Sequence, residues 1–212
     1  MEEKQGIQIY HIKGLTRQKV ERLLTEDPWS RATLAKLRRG IGKQPGELPE
    51  LFEILFSNMP EELYGKGDKP SYAEWAIYTA LTLFALHQQG KDHAMSFGEE
   101  IDGKRTGNSL GAAVGTLVKQ KQDKEREPAI KRRFDAMLTA NEFTEFAHHA
   151  RGLIQLLKAE DITLNYPRFA ADLYWYQFEE FRNKIRLRWG EDYYRVAHLS
   201  NKNTKKENGR IL

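Results

Sequence analysis

The chain contains no cysteine, which excludes disulfides, thiolate catalysis and zinc or iron–sulfur sites built on cysteine. Long hydrophobic runs are absent too. The longest apolar stretch, Trp75 to Leu86, is 12 residues and includes two threonines, whereas a bilayer span needs about 20. The opening sequence MEEKQGIQIY lacks the charged-then-apolar order of a signal peptide. These absences predict a soluble, cytoplasmic protein with no membrane contact.

Catalytic constellations are equally sparse. Glu145-x-x-His148 has the spacing of di-metal carboxylate bundles. No second Glu-x-x-His accompanies it, and Arg151 nearby disfavours a cation, so it reads as a solvated polar face. Gly40-Ile41-Gly42-Lys43 has the look of a phosphate loop, but Gln44 stands where Ser or Thr must bind magnesium, and no strand precedes it. Asp92-His93 carries no catalytic mark. Gly107-Asn108-Ser109 ahead of a helix offers backbone N–H groups to an anion, a reading second to simple helix capping. No serine or acid pair stands out as catalytic. The expectation is a non-enzyme with no catalytic residue, cofactor or metal.

What the chain does have is segregated charge. Lysine and arginine total 34 against 30 acids, a net charge of only +4 over 212 residues and a pI near 9.1. Yet the sixteen residues Arg31 to Gly46 (RATLAKLRRGIGKQPG) hold Arg31, Lys36, Arg38, Arg39 and Lys43 and no acid. Leu34, Leu37 and Ile41 recur there at i, i+3 and i+7, so the segment is an ordered helix with a cationic outer face. Clustered positive charge costs self-repulsion and usually has an anionic partner. Phosphate is the expected one.

Nearly every other periodic segment also reads as helix: 16–26, then a break at Asp27-Pro28, 30–39, a helix from Pro49 stopped by Pro60, and 71–90 opened by the capping box Ser71-x-x-Glu74. That last one is apolar almost all round and is expected at the centre. Residues 91–108 read as a long, mobile, polar connection. Further helices carry Leu110–Val118, with Gly111, Ala112 and Gly115 for close packing, and Ile130–Leu138 beyond a charged linker at Lys119–Glu127. Two more carry Phe143–Leu157, capped by Asn141, and 165–175. From Phe181 to Trp189 the pattern alternates with period two, which leaves a strand or a helix end open. The fold class is all-α: an N-terminal helical region (1–90), a mobile connection (91–108), a C-terminal helix bundle (109–198) and a disordered basic tail (199–212).

Positive charge recurs at Arg132 and Arg133, at Arg151, and at Arg182, Lys184, Arg186 and Arg188. Each of these is weighed against an ordinary solvated helix face. Acids interleave with Lys119–Lys124, which therefore reads as such a face, and Lys131 has Asp135 at i+4. The acid-free groups 31–43 and 182–188 favour function. Scattered arginines suit sequence-independent contacts to a phosphate backbone. Trp175 as a base-stacking platform is less favoured than Trp175 in the core. Two other classes stay open. Residues 16–39 have the outline of a helix-turn-helix transcription regulator, though its second helix offers long cations rather than Asn, Gln or Ser. A purely structural adaptor docking acidic protein surfaces is the third reading.

Five ordered blocks, RATLAKLRRGIGKQPGELPELFEIL (31–55), WAIYTALTLFALHQQGK (75–91), GNSLGAAVGTL (107–117), FTEFAHHARGLIQLLKAEDITLNYPRFAADLYWY (143–176) and IRLRWGEDYYRVAH (185–198), together resemble the CasB family. That family is the small subunit of Cascade, the type I-E CRISPR surveillance complex. The resemblance implies an all-helical, non-enzymatic protein. Its implied partners are the other Cascade subunits, including those that hold the guide RNA, a second copy of itself, target DNA and the displaced single strand, with guide RNA met indirectly. It points to Arg38 and Arg39, Arg132 and Arg133, Arg151 and the arginines of 182–188 as DNA contacts. Ala112 departs from the arginine often found after the SLG turn, and Asn165 stands where aspartate is usual.

Overall fold

The computed structural model describes the backbone of residues 2–98, 100–101, 104–105, 107–121 and 126–198, and side chains of 8–98, 107–120 and 127–197. The fold is all-α. Its helices are α1 (Glu2–Leu23), α2 (Pro28–Arg39), α3 (Phe52–Phe56), α4 (Tyr72–His87), α5 (Leu110–Lys121), α6 (Arg126–Thr139), α7 (Phe143–Ala159), α8 (Tyr166–Tyr176) and α9 (Glu179–His198). A two-residue antiparallel hairpin, β1 (Glu100–Ile101) with β2 (Lys104–Arg105), is the only regular extended structure among the described residues.

Helix α4 organises the rest. Ser71 accepts the Glu74 N–H at 3.0 Å while the Glu74 carboxylate accepts the Ser71 N–H at 2.7 Å, which closes the capping box. Every residue from Ala76 to His87 is buried, and α1, α2, α7 and α8 pack around it. Asp27-Pro28, expected as a break, starts α2: the Asp27 carboxylate accepts the Ser30 N–H at 2.7 Å, and Pro28 occupies the first turn where no N–H is needed.

Several expectations are corrected. The helix from Pro49 is a single 3-10 turn (Pro49–Leu51) followed by the short α3, because Asn58 turns the chain with φ +56°. Position 142, not Asn141, caps α7. Asn141 instead donates its N–H to the Glu145 carboxylate at 3.3 Å. The alternating 181–189 segment is helical, since Ile185, Trp189 and Tyr193, four apart, all face the core. Helices α5 and α6 reach into the linker expected at 119–127. The connection at 91–108 is tied at both ends: Leu164 donates to the Met95 carbonyl at 3.1 Å, Phe97 to the Leu164 carbonyl at 3.2 Å, and Asn165 to the Asn108 carbonyl at 2.9 Å. One hydrophobic cluster runs from Ile12 of α1 to Tyr193 of α9, across that connection. The tail expected at 199–212 lies outside the described residues.

The tightest packing is α5 on α9. A Cβ on Gly111 would stand 1.9 Å from the Trp189 carbonyl oxygen, and one on Gly115 2.6 Å from that of Tyr193. Gly111→Ala is therefore expected to cost on the order of 3 kcal/mol in urea unfolding. Gly152→Ala, whose Cβ would meet nothing within 4 Å, should be neutral or stabilise by up to about 1 kcal/mol.

Candidate nucleic-acid interface

Two helices lean on α4 and leave a cleft above it. One wall is the turn that ends α2, Ile41 to Lys43. The other is α7, through Thr144, Ala147, His148 and Arg151. The floor is α4. The cavity measures about 240 Å³. Tyr78 of the floor donates its hydroxyl to the Gly40 carbonyl at 2.9 Å and so pins the end of α2 to α4. Residue 40 must be glycine for that contact, because a Cβ there would stand 2.6 Å from the same hydroxyl.

Both walls are cationic. On the α2 side Lys43 is exposed and reaches Glu47 at 3.8 Å. Arg38 is half-buried and donates to the Ala85 carbonyl at 3.5 Å, and burial pulls its pKa below the ordinary value. On the α7 side His148, Arg151 and Lys158 follow one another at spacings of three and seven, hence on one helix face. Burial, then the neighbouring charges of Lys91 and Arg38, lower the pKa of Lys158. Arg38 and Lys158 thus converge from the two walls. Lys158 donates to the Gln89 side chain at 3.2 Å, and Lys91 is paired with Asp161. Neither Lys91 nor Lys158 stood out in the sequence. Lys158 was within reach as the residue seven beyond Arg151, while only the tertiary fold brings Lys91 there.

The remaining expected residues scatter. Arg31 is exposed and turned back onto the Glu26 carbonyl. Lys36 is half-buried on α2, and Arg39 pairs with Glu50 at 2.7 Å. The segment that is acid-free in sequence thus meets Glu50 at Arg39 and Glu47 at Lys43, both supplied by the residues that follow it. Such exposed pairs contribute about 0–1 kcal/mol and give way readily to phosphate. Arg132 and Arg133 stand exposed on α6, none of whose residues lines the cleft. No ion-pair partner of Arg132, Arg133 or Arg151 is found among the described residues. Lys131 pairs with Asp135 at 2.7 Å, as the i+4 spacing implied.

The stretch 182–188 is divided between two kinds of work. Arg186 donates to the Ala140 carbonyl at 2.9 Å and lies over the Tyr176 ring. Arg182 donates to the Tyr176 carbonyl at 3.1 Å. Arg188 is ion-paired with the buried Asp172, which also accepts the Trp189 indole N–H at 2.9 Å. Burial pushes the Asp172 carboxyl pKa up, against the opposing pull of the Arg188 and Arg168 guanidiniums. Only Lys184 is left exposed, 5.1 Å from the Phe181 ring. Trp175 is half-buried against Phe181, ring centroids 4.3 Å apart. At the start of α5, Ser109 accepts the Ala112 N–H at 3.1 Å and donates to Asp192 at 2.6 Å. A carboxylate already stands at that helix start and repels a second anion.

The family model for the CRISPR-associated protein Cse2 matches residues 33–194. CasB from Thermobifida fusca is similar in structure, with a TM-score of 0.67 and 26% identity over 86% of this chain and 97% of that one. CasB from M. ruber matches with a TM-score of 0.58 and 19% identity, over 94% of this chain and 98% of that one. A chain of a CRISPR RNA-guided surveillance complex gives 0.64 and 17%, over 93% and 99%. No curated protein matches the chain.

The partners sort the arginines by what their loss should do. Arg188→Ala orphans a buried carboxylate and is expected to cost about 3 kcal/mol in denaturant unfolding. Arg151→Ala and Arg132→Ala should stay within about 0.5 kcal/mol of the parent protein.

Proposed function

The chain belongs to the CRISPR-associated Cse2 family, also called CasB, and from that premise we propose that it is the non-catalytic small subunit of a type I-E Cascade complex. In this reading it holds the target and displaced DNA strands by their phosphate backbones and so stabilises the R-loop in antiviral defence. Its partners are the other Cascade subunits, those holding the guide RNA among them, and a second copy of itself. The guide RNA is met through those subunits.

The observation that carries the reading is the two-walled cleft: Lys43 from the turn after α2 faces Arg151 of α7 over a floor formed by α4, and outside the lining Arg38 of α2 comes close enough to Lys158 of α7 for their charges to interact. Cations on two separate elements straddle a strand and recognise its charge and spacing, not its bases. That suits an R-loop. Guide–target pairing exchanges one duplex for another of similar stability, so modest protein contacts to the separated strands decide the balance. The exposed Lys184 and the Arg132–Arg133 pair extend the cationic surface outside the cleft. Arg182, Arg186 and Arg188, committed to Tyr176, Ala140 and Asp172, contribute mainly by holding α9 in place.

The test is Arg38→Glu combined with Arg151→Glu, introduced into the assembled complex. R-loop formation on a matched target should fall at least tenfold while subunit stoichiometry and bound guide RNA stay unchanged. Normal R-loop formation by this variant removes the cleft as the DNA contact. With the milder Arg38→Gln and Arg151→Gln pair, the log–log salt slope for single-strand binding should decrease by about 1.4.

A further inference from the structure

A second surface lies on α1, away from the cleft and ahead of the family match that begins at residue 33. Tyr10, Gly14 and Arg17 fall at i, i+4 and i+7, with Lys13 beside them, so they share one face of the helix. Tyr10 is 75% exposed, the most exposed large hydrophobic side chain described. These residues line a groove of about 670 Å³ whose far wall is Asn58 and Pro60, and no aspartate or glutamate among the described residues lines it.

The groove is built rather than incidental. Its far wall is fixed by Lys19, an α1 residue only 3% exposed, whose ammonium donates to the Ser57 carbonyl at 2.8 Å and the Ser57 hydroxyl at 3.4 Å. That buried cation holds the turn in which Asn58 takes φ +56°. Gly14 has no internal reason to be glycine: a Cβ there would meet nothing within 4 Å, and glycine in a helix interior lowers stability. Bare backbone one turn from the Tyr10 ring leaves a flat surface on which a planar group can lie. His11 also borders the groove, but its ring is paired with Glu62.

We propose that this face of α1 is a second nucleic-acid site, one that takes single-stranded nucleic acid by stacking a base on Tyr10 and seating an adjacent phosphate on the exposed Arg17. The inference rests on the reading of the chain as a binder of nucleic acid and adds strand selectivity to it. A duplex already stacks its bases on each other, so an exposed ring rewards only a strand with free base faces, and does so with little regard to sequence. Tyr10 and Arg17 stand about 10 Å apart along the helix axis, short enough to take a base and a nearby phosphate of one strand. The amides of Gln18 and Asn58 stand at the rim for base edges.

The experiment uses the full-length chain, a single-stranded oligonucleotide carrying 2-aminopurine, and the duplex of the same sequence. Tyr10→Ala should weaken single-strand binding roughly tenfold and abolish the 2-aminopurine quench, leave duplex binding unchanged and preserve the melting temperature. Tyr10→Phe should retain both affinity and quench, and Gly14→Leu should lose them. Unchanged single-strand affinity in Tyr10→Ala overturns the proposal, as does an equal loss for single strand and duplex. A Tyr10→Ala chain that binds single strand normally but drops out of the assembled complex also overturns it, and assigns the face to a protein neighbour. Arg38→Glu with Arg151→Glu runs alongside. If that pair loses binding while Tyr10→Ala keeps it, the α1 site fails and the cleft stands. The reverse result removes the cleft and leaves the α1 site.

Discussion

Burial of α4 on every side from Ala76 to His87 is the constraint on which the other helices depend. A helix with apolar residues on every side must be surrounded, so α1, α2, α7 and α8 each turn a stripe toward it. Each of those helices then has only its outer face for charge. On α2 the inward positions are Ser30, Thr33 and Leu37, and on α7 they are Phe146, Ala150, Leu153, Ile154 and Leu157. The cations of both helices are driven to their remaining faces, and the space where the two fail to meet above α4 becomes the cleft. The cleft is therefore a by-product of how the core is closed, and its rigidity is that of the core.

Arginine serves two ends in this protein, and the difference is made by what lies opposite each guanidinium. Arg188 meets a buried carboxylate whose second oxygen is satisfied by Trp189, so its charge is consumed in joining α8 to α9. Arg168 does the same toward Asp192, which Ser109 of the α5 start also contacts. Together with the glycine-mediated approach of α5 and α9, these polar links set the rotation of α9 and hence which of its cations reach the surface. Arg151 has no ion-pair partner among the described residues and Lys43 only the exposed Glu47, so their charge stays available. A guanidinium already desolvated by a carboxylate has little left to offer a phosphate, whereas one held half-buried on a carbonyl, as Arg38 is, keeps its full charge for an incoming anion.

The same logic separates the cleft from the face of α1. In the cleft, positive charge comes from two walls and hydrophobic groups stay below. On α1 the exposed Tyr10 ring and the exposed Arg17 share a helix face, with the bare backbone of Gly14 between them. Charge alone attracts any polyanion, while a free ring discriminates by whether base faces are accessible.

Much was settled by the sequence alone. The 3.6-residue periodicity, the capping box at Ser71 and the all-round apolarity of α4 set the all-α class and the central helix, because these are local properties of short segments. The small residues Gly111 and Gly115 announced a close helix contact for the same reason. Local pattern could not say whether 181–189 was helical, since alternation and a stripe of three residues four apart coexist there, and only packing against α5 selects one. It could not place Glu50 against Arg39, or Asp172 against Arg188, because ion pairs between elements depend on separations that no spacing in the chain encodes. Nor could it bring Lys91 and Lys158 to Arg38, or set Asn58 and Pro60 opposite Tyr10. Charge, periodicity and capping belong to the chain. Which charges are spent inside the fold and which are left for a partner is decided only when the helices close around α4.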